Sequence, residues 1–133
     1  MIHEKRIEIR WRDMDAFRHV NNAVYATYLE ECRDEWCERA LAGDGDIWSF
    51  VLARVAIDFR RELTQEDDAI AVSCRLVRIC NSSLTLREEI RTLTGELSAE
   101  SEAVLVGLDP GTRRSRPLTK AEREAFEHAL EPL

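Results

Sequence analysis

A single long helical stripe set among strand-like runs narrows the folds open to this chain more than any other feature. From Val24 the apolar positions are Val24, Tyr25, Tyr28, Leu29, Cys32, Trp36, Ala40 and Leu41, the spacing of a helix with one buried face, and the pattern ends at Gly43. Asn21 can cap the helix start through its side-chain oxygen, and Gly43 suits the left-handed residue after the end. Before the helix, Ile7, Ile9 and Trp11 alternate with Glu8, Arg10 and Arg12, which predicts a strand over residues 2–12 with those three on one face. After the turn Gly43-Asp44-Gly45-Asp46, strand patterns occupy residues 50–61, 69–80, 83–94 and 97–108.

Thr94-Gly95-Glu96 reads as a hairpin turn, and Cys80-Asn81-Ser82-Ser83 as a second tight connection, so the sheet is expected to be largely antiparallel. Asp109-Pro110-Gly111 stops the last strand, and Thr119 with Glu122 has the spacing of a capping box opening a short C-terminal helix. One helix with one apolar stripe and about five strands predicts an α+β fold, a curved antiparallel sheet wrapped around that helix. A length of 133 residues suits one domain over 1–133. Such a unit leaves a sheet edge open, and association into a homodimer or homotetramer is the expected remedy.

Net charge of −7 argues against nucleic-acid binding, which needs clustered cations. No stretch approaches the roughly 20 apolar residues of a membrane span, and no apolar leader precedes residue 10, which together point to the cytoplasm. Cys32, Cys37, Cys74 and Cys80 lack C-x-x-C spacing, so they read as reduced thiols, with no metal expected.

Residues 13–25, Asp13-Met14-Asp15-Ala16-Phe17-Arg18-His19-Val20-Asn21-Asn22-Ala23-Val24-Tyr25, bring two carboxylates, an imidazole and two amides to the connector that enters the helix. The first helical turn offers unpaired N–H groups and a positive dipole end, which suit a polarised carbonyl oxygen. An Asp beside it supplies a base or a nucleophile. Asp15 carries that role or caps the helix. Asp13 reads as a capping or surface residue, and His19 as orienting Asp15 or substrate, pinning the connector, or solvated. Glu31 falls near the apolar stripe, Glu30 further round it.

The run resembles the D-x-D-x-x-G-H-V-N-N-x-x-Y segment of the 4-hydroxybenzoyl-CoA thioesterase-like branch of the hotdog-fold acyl-CoA thioesterases. Similarity extends through Tyr28-Leu29-Glu30-Glu31-Cys32-Arg33, Ile57-Asp58-Phe59-Arg60-Arg61 and Asn81-Ser82-Ser83-Leu84. The resemblance implies hydrolysis of an acyl-CoA, or of an acyl-carrier-protein thioester, without a cofactor. It implies Asp15 as nucleophile or general base, the Asn22 backbone N–H as the donor to the thioester carbonyl, and His19 as a residue shaping the site. Tyr25 and Phe59 are expected beside the acyl group, and Ser83 near the pocket. Cations for the coenzyme phosphates are sought among Arg60, Arg61, Arg113, Arg114 and Arg116. Phe17, Trp48 and Phe50 are read as pocket or core.

Arg18 stands where the family has glycine, and a glycine there would permit positive φ. A guanidinium at that place could also meet the acyl group or a phosphate. Two other functions are weighed: a hotdog dehydratase or hydratase using His19 and Glu31, and an acyl-thioester-binding module without turnover. Val20-Asn21-Asn22 departs from the dehydratase pattern, while Arg18 is the feature that sustains the binding module.

Overall fold

The computed structural model describes residues 1–131. Its elements are β1 (Ile2–Glu8), α1 (Asn22–Leu41), β2 (Phe50–Phe59), β3 (Ala69–Ile79), β4 (Ser83–Thr92), β5 (Leu97–Gly107) and α2 (Lys120–Ala129). The five strands form one antiparallel sheet in the order β1-β3-β4-β5-β2. The α1 segment therefore carries the chain from one sheet edge to the other, and β3 returns to pair with β1.

Four strands end within two residues of their expected limits, because glycine and short polar turns stop them. Gly95 sits at φ +93° in the β4–β5 turn, where its N–H donates to the Thr92 carbonyl at 2.9 Å. The first strand is shorter than expected, since the backbone turns at Arg10 and a single 3-10 turn covers Trp11–Asp13. Ile7 and Ile9 are buried as predicted, but Trp11 leaves their face and is 84% exposed. The left-handed end of α1 begins one residue early, at Ala42 with φ +48°, and continues through Gly43.

Tyr25, Tyr28, Leu29, Cys32 and Trp36 of α1 pack on Ile70, Val72, Leu84, Leu86 and Ile90 of the sheet. Each large apolar side chain so buried contributes roughly 1.5–3 kcal/mol. Trp36 stacks on Phe126 of α2 at 6.0 Å, and Phe50 meets the same ring edge-on at 5.6 Å, so α2 closes one end of the core. Thr119 and Glu122 form the expected capping box, and Glu122 also takes two hydrogen bonds from Arg116 at 2.8 and 2.9 Å.

Cover is uneven. The helix packs mainly on β1, β3 and β4. At the far edge, Leu52, Val55, Ile57 and Phe59 pair with Leu105, Ala103, Ser101 and Ala99, which turn their side chains toward the helix layer. Leu52, Val55 and Phe59 nevertheless remain exposed.

Beneath α1 lies a charged pair that the sequence pattern did not single out. Arg33 donates from Nε and Nη2 to both carboxylate oxygens of Glu88, at 2.8 and 2.9 Å, with both side chains almost wholly buried. Burial is the largest single influence and opposes the charge on Arg33, yet the hydrogen bonds and charge attraction of Glu88, with smaller help from neighbouring acids, together outweigh it and raise the guanidinium pKa.

Removing one member leaves the other charged and unpaired, so Glu88→Ala is expected to cost about 3–5 kcal/mol in urea unfolding. The double replacement Arg33→Met/Glu88→Leu is expected to recover most of that loss. Glu122 yields a pH prediction: burial favours its neutral form, but Arg116 and the Thr119 N–H outweigh burial and lower its pKa below the ordinary 4.5. A lowered pKa in the folded state contributes stability above about pH 4.5 that disappears as pH falls through the folded value. Glu122→Gln is therefore expected to lower Tm at neutral pH and to flatten the acid side of the Tm profile below about pH 4.5.

Candidate functional site

The connector between β1 and α1 is built around Asp13, whose side chain is buried rather than at the surface. Its carboxylate accepts from the Tyr28 hydroxyl at 2.6 Å and from the Arg10 N–H at 2.9 Å, while its carbonyl accepts from the Asn21 N–H at 2.9 Å. Burial, reinforced by that bond to Asp13, raises the Tyr28 pKa, so the phenol stays protonated and donates.

Between these anchors the chain makes a tight turn. The Arg18 N–H donates to the Asp15 carbonyl at 3.0 Å, and the Asp15 N–H to the His19 carbonyl at 3.0 Å. Arg18 holds φ +63°, the left-handed conformation for which a glycine is suited. The backbone thus requires the glycine-like geometry even though the residue is arginine. One oxygen of Asp15 accepts from the Phe17 N–H at 2.9 Å, and the other lies 3.8 Å from His19 Nδ1. His19 Nδ1 is also 3.3 Å from the Val20 carbonyl, and the His19 ring stacks on Phe17.

At the start of α1, Asn21 is the cap: its side-chain oxygen accepts from the Ala23 N–H at 2.8 Å, and its carbonyl from the Val24 N–H at 2.9 Å. The Asn22 N–H has no partner among the described residues. One free donor therefore stands at the positive end of a 20-residue helix.

Two concavities flank the connector. His19, Asn22, Tyr25, Phe59, Arg60 and Arg61 border one of about 220 Å³. Asp15 and Arg18 border the other, of about 680 Å³, together with Trp11, Arg12, Met14 and Gln65. His19 sits between them, beside Asp15 and on the wall that holds Asn22. Ser83 opens β4 opposite Val106 and borders neither concavity.

Tyr25 meets Phe59 edge-on at 5.0 Å, and burial raises its pKa, which keeps the hydroxyl neutral. That hydroxyl lies 3.4 Å from Ser98 Oγ, which donates to the Arg61 carbonyl at 2.7 Å. Arg60 pairs with Glu100, Arg61 with Asp67 and Glu96, and Arg116 with Glu122. Three of the five sought cations are thus already neutralised.

Glu31 does not join the buried stripe but is exposed, as is Glu30, which borders a concavity between α1 and β2 with Arg33, Leu52 and Leu105. Phe50 belongs to the core, whereas Phe17 and Trp48 are exposed at 80% and 82%. Cys32 and Cys37 are buried, which pushes their thiols up to about 12, and burial raises the Cys74 thiol as well, so none is a ready nucleophile. Asp13 and Tyr28 are the site-building residues that sequence reasoning underrated. Tyr28 was visible only as an apolar-stripe residue, and nothing in the spacing paired it with Asp13.

Residues 9–126 match the family described as the thioesterase-like superfamily. The chain is 26% identical over 135 residues to the long-chain acyl-CoA thioesterase FadM of Escherichia coli K12, spanning 96% of this chain and 98% of that protein. It is also similar to a thioesterase from Thermus thermophilus solved in complex with coenzyme A and Zn. There the identity is 32% and the TM-score 0.86, over 98% of this chain and 96% of the other. A Bacillus stearothermophilus protein described as a predicted thioesterase has the same fold at TM-score 0.89 and 24% identity, over 100% and 99% of the two chains.

The left-handed conformation costs an arginine about 1–2 kcal/mol, part of which a glycine returns through the entropy of the unfolded chain. Arg18→Gly is therefore expected to stabilise the fold by about 0.5–1 kcal/mol, read as a Tm rise of roughly 1–4 °C in calorimetry.

Proposed function

Because the chain belongs to the thioesterase-like superfamily, we propose that it hydrolyses acyl-CoA thioesters to the free acid and the thiol. The observation that carries this reading is a carboxylate held in a turn, Asp15, seven residues before a free backbone donor, Asn22, at the start of α1. A thioester already has a good leaving group. The enzyme mainly has to polarise the carbonyl and bring a nucleophile to its carbon.

In this mechanism the thioester oxygen accepts from the Asn22 N–H, where the helix dipole stabilises the negative charge that develops. Asp15 attacks the carbonyl carbon, the C–S bond breaks and the thiolate leaves to take a proton from solvent, and water then opens the resulting anhydride; or Asp15 removes a proton from a water that attacks the carbon and displaces the thiolate. His19, 3.8 Å from Asp15, positions that carboxylate. Tyr25 and Phe59 provide the apolar wall beside the carbonyl.

From Phe59 the uncovered side of β2 continues through Ile57 and Val55 to Leu52, an apolar strip roughly 20 Å long that suits an aliphatic or aromatic acyl group. A second copy of the chain pairing along the open β2 edge would roof this strip, which supports a homo-oligomeric enzyme. Assignment to the 4-hydroxybenzoyl-CoA thioesterase-like branch, a single domain over 1–133 and a cytoplasmic setting complete the proposal. Among the described residues no helix is long and apolar enough to cross a membrane.

The test is thiol release across short, medium, long and aromatic acyl-CoAs. Asp15→Asn is expected to lower kcat by at least about a hundredfold, with unchanged circular dichroism and assembly. Undiminished turnover by that variant would refute the role of Asp15. No thiol release by the unmodified protein on any member of the panel would refute the activity.

A further inference from the structure

Three small residues of β5, Ala99, Ser101 and Ala103, turn toward the helix layer opposite Phe59, Ile57 and Val55 of β2, and all three are buried. Small side chains there leave room beneath the apolar strip. Alanine meets that need at 99 and 103, so packing alone does not account for the hydroxyl at 101. Ser101 Oγ is the one buried side-chain polar atom that makes no hydrogen bond among the described residues. A hydroxyl out of water and without a partner is costly, and such exceptions in a folded chain call for a reason.

The surroundings indicate what would bond to it. On the same face of β4, Glu88 stands directly opposite Ser101, and Cys74 of β3 stands opposite Glu88. Both Glu88 oxygens accept from Arg33, at 2.8 and 2.9 Å, and the carboxylate makes no bond to Ser101. The buried pair is neutral as a whole, so a further charge beside it would lack a counterion, whereas a neutral polar group meets no such penalty. A hydroxyl fits best. It can accept from Ser101 or donate to it, and it can also donate to a lone pair that Arg33 leaves free on Glu88.

Register fixes where that hydroxyl sits on an acyl chain. Phe59 borders the groove that holds Asn22, and Ile57, the partner of Ser101, lies two residues on, roughly 7 Å along the strand. An extended chain covers that distance in about five or six bonds at ~1.5 Å each. Ile57 lies between Ser101 and the open edge and is only half-buried, so an acyl chain displaces it to reach the hydroxyl. The strip does not end there, since Val55 and Leu52 continue it. We propose that Ser101 selects aliphatic acyl chains that carry a hydroxyl about six carbons from the thioester, with an apolar tail running on past Val55 and Leu52. This rests on the acyl-CoA reading above and names the class of acyl group that reading leaves open.

The experiment measures thiol release from dodecanoyl-CoA and from its 3-hydroxy, 6-hydroxy and 12-hydroxy counterparts. The unmodified protein is expected to favour the 6-hydroxy chain over dodecanoyl-CoA by at least about tenfold in kcat/KM, because the plain chain leaves a buried polar group unpaired. The 3-hydroxy and 12-hydroxy chains are expected to gain nothing. Ser101→Ala is expected to lower kcat/KM for the 6-hydroxy chain about tenfold, to the level of dodecanoyl-CoA, and to hold or raise Tm, since it removes an unpaired hydroxyl. Ser101→Cys, close in size and a weak donor, is expected to fall between.

Equal kcat/KM for all four chains, a preference for the 3-hydroxy or 12-hydroxy chain, or a 6-hydroxy preference that survives in Ser101→Ala would each overturn the proposal. So would a marked fall in Tm for Ser101→Ala, which would give the hydroxyl a partner within the fold. Failure of the unmodified protein to release thiol from any chain would refute the hydrolase reading instead, and calorimetric binding of the 6-hydroxy and unsubstituted chains would then decide the Ser101 site separately.

Discussion

The hydrogen bond from Tyr28 to the buried carboxylate of Asp13 joins the two parts of the molecule that have to stay in register. Tyr28 belongs to the helix face that fills the core, and Asp13 to a connector with few apolar side chains of its own. Two further bonds, from the Arg10 and Asn21 N–H groups, make Asp13 the hub on which both ends of the connector close. A buried carboxylate that accepts from two donors is well satisfied, and leaving either of them unpaired would be costly. The turn that presents Asp15 and the cap that exposes the Asn22 N–H are thus held at a fixed distance by a residue that need not touch substrate.

The second constraint is geometric. One helix cannot cover five strands, and α1 spends its apolar face on β1, β3 and β4. What remains is the inner side of β2, with Leu52, Val55 and Phe59 in the open. A larger core would have covered these residues and removed the strip with them. The Arg33–Glu88 pair marks the same boundary from within: a charged side chain of α1 reaches β4 where apolar packing gives way toward the uncovered edge. The groove bearing Asn22, Tyr25 and Phe59 therefore opens where the helix stops covering the sheet.

The elements themselves were readable, because period-two and period-3.6 patterns are local. Gly43, Gly95 and the Thr119–Glu122 box signal boundaries within a few residues of chain. Trp11 shows where that logic ends: alternation alone cannot report that the backbone turns at Arg10, so it placed an exposed indole on a buried face. The Asp13–Tyr28 and Arg33–Glu88 contacts span 15 and 55 residues, and no periodicity connects them. The connector motif named Asp15, His19 and Asn22 together, but their separation onto two faces of one turn is set by hydrogen bonds to backbone at Leu63 and Asp13, which sequence patterns do not encode.

The arrangement of charge follows from the same turn. Arg54, Arg60, Arg61 and Arg116 each find a carboxylate. Arg10 is drawn to the buried Asp13, 3.6 Å away. Arg12 lies within the 3-10 turn and Arg18 in the left-handed residue of the next turn, so backbone bonds limit where either can go. The acid that borders the same concavity, Asp15, is already held by the Phe17 N–H. Holding the Asp15 carboxylate in its turn and leaving the Arg12 and Arg18 guanidinium groups without a carboxylate partner beside it are consequently one structural problem. The Asp15–Arg18 turn answers both at the cost of a strained arginine where a glycine would have been comfortable.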